Sequence, residues 1–175
     1  KMSELENIAK KMLAKGKGIL AADESTGTMS KRLSSVNVES TSKNRLKFRE
    51  TLFSAESMKE NIGGVILYDE TIKQKTSSGK SIPELIKSFG SIPGIKVDTG
   101  AKKLAGSAEE KITEGLDGLR ERLEEYYKLG ARFAKWRAVY SISSDQPSKQ
   151  CIKSNAHSLA RYAAIVQEAK MVPIV

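Results

Sequence analysis

Charged side chains stand at the ends of several short apolar runs in this sequence, spaced as residues that share one face of a strand. The members of this set are Asp23, Lys96 with Asp98, and Lys135 with Arg137. Because side chains alternate faces along a β-strand, the two residues of each pair share a face. Cationic groups collected beside carboxylates suit phosphate ligands, and a crowded lysine can act as a nucleophile or as an acid and base.

The same charges also have a purely structural interpretation. The two pairs would then be ordinary solvated strand ends, or they would pair with Asp23 and Asp69 to balance charge within the fold. Spacing alone leaves both interpretations open.

Short apolar runs alternate with longer segments in which apolar residues recur at helical spacing. The runs predicted to be strands are 18–23, 64–69, 94–98, 131–137 and 171–175. The segments predicted to be helices are 4–13, 44–58, 81–89, 107–129 and 154–169. Ser81 is the predicted N-cap of the third helix, and Gly130 closes the fourth. This alternation predicts an α/β fold with a parallel sheet.

Two architectures fit the alternation, an open doubly wound sheet and a closed eight-stranded barrel. The sequence has neither a glycine-rich dinucleotide fingerprint nor a P-loop, since Gly16-Lys17-Gly18 precedes the first predicted strand instead of following it. The nucleotide-binding version therefore loses support. In a barrel, the charged strand ends would meet at the carboxyl face, where active sites lie.

Composition narrows the possible functions. The 175 residues carry a formal charge of +9, but basic and acidic residues are interleaved and aromatic residues make up only 6%. This pattern disfavours a nucleic-acid partner and favours a small anionic substrate. No apolar stretch is long enough to span a membrane, and segment 1–17 lacks the apolar core of a signal peptide. Because Cys151 and His157 are the only residues of their types, we expect structural roles for both, no bound metal and a reducing cytosol.

Several motifs resemble those of one enzyme family. Segment 15–28, KGKGILAADESTGT, resembles the first-strand signature of the class I fructose-1,6-bisphosphate aldolases. Further stretches agree in order and spacing: GVILYDET at 64–71, PGIKVD at 93–98, GLDGL at 115–119, GARFAKWR at 130–137, LARYA at 159–163 and VPIV at 172–175. The resemblance covers nearly the whole sequence, from Leu5 onward.

The resemblance implies a (β/α)₈ TIM barrel, of which residues 1–175 supply strands 1 to 4 and the start of strand 5, as the N-terminal half of a single domain. It also implies an aldolase that needs no metal or cofactor and cleaves fructose 1,6-bisphosphate through a lysine imine. The products would be dihydroxyacetone phosphate and glyceraldehyde 3-phosphate, in glycolysis and gluconeogenesis. A cytoplasmic homo-oligomer, a tetramer in the intact protein, is expected, without membrane or nucleic-acid partners.

Residue roles are carried over from the family by position. Asp23 matches the aspartate that assists proton transfer, Lys135 the lysine that supports carbon–carbon cleavage, and Arg137 a neighbouring active-site arginine. The expected substrate-binding residues are Ser25, Thr28 and Lys96, which match positions that hold the phosphate at carbon 6, together with Arg32 and Arg45. Thr28 replaces a serine found in many members but keeps the hydroxyl group.

The sequence departs from the family at its end. In the family, the VPIV strand continues into a Glu-Pro-Glu segment whose first glutamate is the general acid and base, and the Schiff-base lysine lies on the next strand. Both fall beyond Val175, so we expect the isolated chain to be catalytically silent. The alternative from the residues is a non-catalytic half-barrel that binds phosphosugars or polyanions through Ser25, Thr28, Lys96 and Lys135.

Overall fold

A computed structural model describes residues 3–175, and the first two residues lie outside the described part. The helices are α1 (Glu4–Met12), α2 (Thr26–Ser34), α3 (Ser42–Phe53), α4 (Met58–Asn61), α5 (Asp69–Ile72), α6 (Ile82–Ser88), α7 (Leu119–Leu129) and α8 (Lys149–Glu168). The strands are β1 (Gly18–Ala22), β2 (Ile62–Leu67), β3 (Ile92–Lys96), β4 (Gly100–Lys103), β5 (Lys111–Glu114), β6 (Phe133–Lys135) and β7 (Val172–Ile174). The predicted α/β class is confirmed.

In the described part of the chain, a five-stranded sheet has the spatial order β1-β2-β3-β6-β7, and all its neighbouring strands are parallel. The order follows the chain without reversal, whereas a doubly wound sheet reverses at a switch point. This topology is therefore that of consecutive barrel strands. Since β1 and β7 each have a sheet neighbour on one side only, the sheet is an open arc.

Helices cover the outer face of this sheet. Ile95 of β3 and Trp136, directly after β6, belong to a buried cluster with Ile86 of α6, Leu123 of α7 and Tyr162 of α8. The Trp136 and Tyr162 ring centroids lie 5.3 Å apart at a tilted angle, which is a favourable aromatic geometry. This cluster is the main core of the molecule.

The inner face is apolar only toward the amino ends of the strands. There Ile66 and Phe133 form a smaller buried cluster with Met12 of α1. Gly94 is required beside them, because a Cβ at this position would overlap the Phe133 ring. Helix α1 therefore covers this end of the sheet and leaves the carboxyl end open.

Local signals set several helix ends as predicted. Ser81 caps α6, its hydroxyl accepting the Glu84 backbone N–H at 3.3 Å while the Glu84 carboxylate accepts the Ser81 backbone N–H at 2.9 Å. This reciprocal pair is a capping box. Gly130 ends α7 in the left-handed conformation, with φ of 113°.

The predicted helix over 107–129 is wrong in its first half. Segment 111–114 is strand β5, which pairs antiparallel with β4, and the helix begins only at Leu119. Gly115 and Gly118 have φ of 134° and 63°, values that interrupt a right-handed helix. Gly115 also packs closely on the backbone of Val97 and Asp98, where a Cβ would be crowded.

Other boundaries shift or were missed. The predicted helix over 44–58 is divided into α3 and α4, and the one over 154–169 begins five residues earlier, after the N-cap Ser148. Helix α2 was not predicted, because its sequence contains threonine, glycine and serine residues that are weak helix formers. No helix within residues 3–175 has the length and apolar character needed to cross a membrane.

Candidate active site

A cavity of about 450 Å³ opens at the carboxyl ends of β1, β2, β3 and β6. The side chains that line it at the strand ends are those of Asp23, Tyr68, Lys96, Asp98, Lys135 and Arg137. Ser25 and Thr28 line it from the connection between β1 and α2. Six of the eight predicted site residues therefore come together around one opening.

Asp23 and Lys135 form an ion pair across this cavity. The Lys135 Nζ atom donates to Asp23 Oδ2 at 2.9 Å, and the two side chains are 23% and 12% exposed, respectively. Asp23 directly follows β1, and Lys135 is the last residue of β6. These two strands are not neighbours, since β2 and β3 lie between them. The pair therefore spans the inside of the arc, and its limited exposure strengthens the electrostatic attraction.

Lys96 adds a second ammonium group beside this pair. It is the register partner of Lys135, since β3 and β6 are parallel neighbours with these two Cα atoms opposite each other. The Lys96 Nζ atom lies 5.4 Å from the centroid of the Tyr68 ring, within cation–π range. Both lysines line the cavity, so an anion bound in it would be attracted to both.

Two hydroxyl groups and a helix terminus complete the anion-binding character. Ser25 is the N-cap of α2, and its Oγ accepts the Thr28 backbone N–H at 3.3 Å and lies 3.2 Å from Thr28 Oγ1. A helix N-terminus carries partial positive charge and unpaired N–H groups, which favour a phosphate. This end of α2 lines the same cavity as Lys96.

Residues 4–175 match the family model described as "Glycolytic: Fructose-bisphosphate aldolase class-I". The chain belongs to this family. A probable class 1 fructose-bisphosphate aldolase from Xylella fastidiosa is 55% identical over 174 residues, covering 99% of this chain and 52% of that protein. Fructose-bisphosphate aldolase B of Gallus gallus is also 55% identical, covering 98% of this chain and 47% of that protein. The chain thus spans about half the length of these aldolases.

A solved aldolase structure has the same fold. Fructose-bisphosphate aldolase from Plasmodium falciparum, crystallised in complex with TRAP and a small-molecule inhibitor, aligns with a TM-score of 0.95 at 47% identity. The alignment covers 98% of this chain and 50% of that chain. The open arc is therefore part of a TIM barrel, as the resemblance implied.

Two of the predicted aldolase site residues do not line the cavity. Arg32 pairs with Glu24. Arg45 donates from Nε to Glu70 Oε2 at 2.8 Å and from Nη1 to the Ser40 carbonyl at 2.7 Å. The Arg45 guanidinium lowers the pKa of Glu70, and the Glu70 carboxylate raises the pKa of Arg45. Both arginines thus already hold carboxylates, and their substrate contacts stay predictions.

The charge pairing expected from the structural alternative is present at Asp23, which holds Lys135, but not at Asp69. Asp69 accepts hydrogen bonds from the Lys73 ammonium at 2.9 Å and the Tyr126 hydroxyl at 2.8 Å, so it holds neither Lys135 nor Arg137. Burial and the Asp69 carboxylate together raise the pKa of Tyr126 to about 12. This network ties α5 to α7 outside the cavity.

Two features of the site were not predicted from the sequence, the β4–β5 hairpin and the buried Arg49. Gly100 and Ala101 of β4 line the cavity, and Thr113 Oγ1 of β5 donates to the Arg137 carbonyl at 2.7 Å. Alternation over 100–103 was too short to signal a strand. Arg49 was missed because arginines on helices are usually exposed, yet its side chain is fully buried behind the cavity.

The chain's only cysteine and histidine stand apart from this site. Cys151 is buried in α8, where burial raises the pKa of its thiol. His157 lies exposed on the same helix. Among residues 3–175, no three histidine, cysteine or acidic side chains are grouped in a way that would hold a metal ion.

Proposed function

We propose that this chain is the N-terminal half of a Schiff-base aldolase that cleaves fructose 1,6-bisphosphate to dihydroxyacetone phosphate and glyceraldehyde 3-phosphate. The observation that carries the proposal is the Asp23–Lys135 ion pair, which shares one cavity with Lys96 and Arg137. The volume of about 450 Å³ lies in the range of small-molecule sites. Sugar phosphates are the class of ligand that this concentration of cations and hydroxyl groups suits.

In this proposal, different side chains contact the carbon-6 phosphate and the bond that is cleaved. Lys96, Ser25 and Thr28 hold the phosphate at carbon 6, using an ammonium group, two hydroxyl groups and the α2 terminus. Lys135, oriented by Asp23, faces the bond between carbons 3 and 4. Its ammonium group stabilises the negative charge that develops as the carbon-4 hydroxyl loses its proton. Holding the carbon-6 phosphate while Lys135 faces the bond to be cleaved restricts the substrate to reactive geometries.

The imine is formed in this proposal by a lysine in the other half of the barrel, together with a glutamate that acts as acid and base. Lys135 is unsuited to that role, because its ammonium group is committed to Asp23. We also propose a cytosolic homotetramer for the whole protein. A relative 54% identical over 172 residues is named as a cytosolic aldolase of Arabidopsis thaliana. Light scattering after size-exclusion chromatography tests the oligomer.

The test uses the full-length protein that contains this chain, assayed for triose phosphate release from fructose 1,6-bisphosphate. We expect cleavage without added metal and with chelator present, and absence of cleavage would overturn the proposal. Treatment of the 175-residue chain alone with the substrate and borohydride, followed by intact mass measurement, should give no adduct. A stoichiometric adduct would contradict the assignment of the imine to the other half. Phosphate-dependent thermal stabilisation without any turnover would indicate the non-catalytic alternative.

A further inference from the structure

Arg49 is unusual because arginine is rarely fully buried in a helix. It lies on α3, and its side chain is 0% exposed, among the largest fully buried side chains of the described residues. Burial lowers the pKa of Arg49, because the charged form loses its hydration. Taking a guanidinium group out of water is unfavourable unless its contacts repay it.

On one side, Arg49 holds the connection that follows β1. Its Nη2 atom donates to the Glu24 backbone carbonyl at 2.5 Å and lies 3.7 Å from the Glu24 carboxylate. Glu24 stands between Asp23, which pairs with Lys135, and Ser25, which caps α2. A single guanidinium group thus fixes the peptide that joins the two halves of the proposed site.

On another side, Arg49 contacts the wall that supports Lys96. The guanidinium carbon lies 6.0 Å from the Tyr68 ring centroid, and the Lys96 ammonium lies 5.4 Å from the same centroid. Tyr68 lines the cavity. Arg49 is therefore linked to two parts of the cavity. Through Glu24 it is linked to Asp23 and its partner Lys135, and through Tyr68 it is linked to Lys96.

The hydrogen bonds of Arg49 do not satisfy its whole guanidinium group. Among the described residues, neither its Nε nor its Nη1 atom donates a hydrogen bond, and Glu24 Oε2 accepts none. Unpaired buried donors destabilise a fold, so stability alone does not explain a charge at this position. The hydrogen bond to Glu24 and the contact with the Tyr68 ring both lead to residues that line the cavity.

We infer that Arg49 is a positioning residue of the proposed aldolase site, which acts through Glu24 and Tyr68 to hold Asp23 and Lys96 in reactive positions. The inference rests on the proposed function. It predicts that loss of the guanidinium group disturbs both the cleavage step, through Asp23, and substrate binding, through Lys96. An arginine that served the fold alone would change neither at temperatures where the protein stays folded.

The test compares Arg49→Met with Arg132→Met in the full-length protein. Arg132 is a matched control, because it also donates to backbone carbonyls, those of Tyr127 and Ala131, and lies 3.9 Å from an aromatic ring centroid. It precedes β6, at the opposite end of the strand from Lys135. We expect Arg49→Met to lower kcat about 10- to 100-fold and to raise KM for fructose 1,6-bisphosphate several-fold, as misplaced catalytic groups do. Arg132→Met should leave both within about twofold.

Two further variants separate positioning from stability. Arg49→Lys keeps the charge but cannot contact the Glu24 carbonyl and the Tyr68 ring together, so kcat should fall less than in Arg49→Met, by about 5- to 10-fold. Tyr68→Leu should mainly raise KM, since it releases Lys96 and leaves Glu24 held. If Arg49→Met fails to fold, Arg49→Lys decides, and wild-type kcat and KM in a folded Arg49→Lys protein overturn the inference.

A measurement without turnover distinguishes failure of the inference from failure of the proposed function. Inorganic phosphate should raise the thermal unfolding midpoint of the Arg132→Met protein more than that of Arg49→Met or, if that does not fold, Arg49→Lys. Equal shifts would overturn the inference even if the wild-type protein cleaves no substrate. If the wild-type protein cleaves substrate and Arg49→Met has the same kinetics as Arg132→Met, the inference is overturned while the proposed function stands.

Discussion

The amino and carboxyl ends of the five sheet strands differ sharply on the inner face. Phe133 and Lys135 lie two residues apart on the same face of β6, yet Phe133 is buried against Gly94 and α1 while Lys135 faces the open cavity. Ile66 of β2 and Tyr68, directly after β2, divide in the same way. The amino end is closed by apolar packing, whereas the carboxyl end collects charged groups of both signs around an open cavity. One face of a single strand can therefore pack in the core at one end and line the cavity at the other.

The largest effect on stability is expected at the amino end. Phe133→Ala should lower the free energy of unfolding by about 3–5 kcal/mol, because it removes a fully buried ring and leaves a cavity beside Gly94. Urea unfolding followed by circular dichroism measures the change. As a control, the exposed Ile142→Ala should change it by less than about 0.5 kcal/mol. A Phe133→Ala loss under 1 kcal/mol would remove the proposed contrast between the ends.

At the carboxyl end, Lys135→Met should show the opposite balance. We expect the free energy of unfolding to fall much less than in Phe133→Ala, because the substitution removes the attraction to Asp23 but no buried apolar group. In the full-length protein, kcat should fall by about 100-fold or more, consistent with losing a stabilising charge. The exposed Lys153→Met on α8 is the control and should retain full kcat. Wild-type kcat in Lys135→Met would contradict the assigned role.

The Arg45–Glu70 ion pair, which does not line the cavity, is expected to contribute to stability. The Arg45 hydrogen bond lowers the pKa of Glu70, so the pair stabilises the fold above the unfolded-state pKa of about 4.3, and this contribution is lost as pH falls through the lower folded-state value. Glu70→Gln should therefore lower the free energy of unfolding by about 1–2 kcal/mol at pH 7.

The pH dependence provides the check on that prediction. The difference between wild type and Glu70→Gln should shrink as urea unfolding is repeated from pH 5 down toward pH 3. A difference that remains constant over this range would show that the carboxylate charge is not the source of the stabilisation.

The smallest effect is expected for an exposed ion pair between α7 and α8. Arg120 and Glu168 form a salt bridge, but their side chains are 56% and 66% exposed. Arg120→Ala should leave the free energy of unfolding nearly unchanged, since solvent screens exposed pairs. A double-mutant cycle with Glu168→Ala measures the coupling. If the coupling energy between Arg120 and Glu168 exceeds that between Arg45 and Glu70, measured in the same way, the expected order of the two ion pairs is wrong.

Much of this molecule is predictable because its signals are local. Ser81 with Glu84, and Gly130, set helix ends through contacts within a few residues. The alternation of apolar runs and helices likewise identifies the strands of the parallel sheet, and the charged strand ends predict the side on which the site lies. Prediction failed for 107–118, where the hairpin depends on pairing and on close packing of Gly115 against another segment.

The sequence by itself determined which residues carry charge, which strand ends bear them and, through its motifs, the aldolase resemblance. Only the tertiary structure paired Asp23 with Lys135, which lie 112 positions apart, and turned Arg32 and Arg45 toward Glu24 and Glu70. It also buried Arg49 behind the cavity. The physical reason is that alternation and capping depend on neighbours in the chain, whereas the partner of a charge depends on which distant segments pack together.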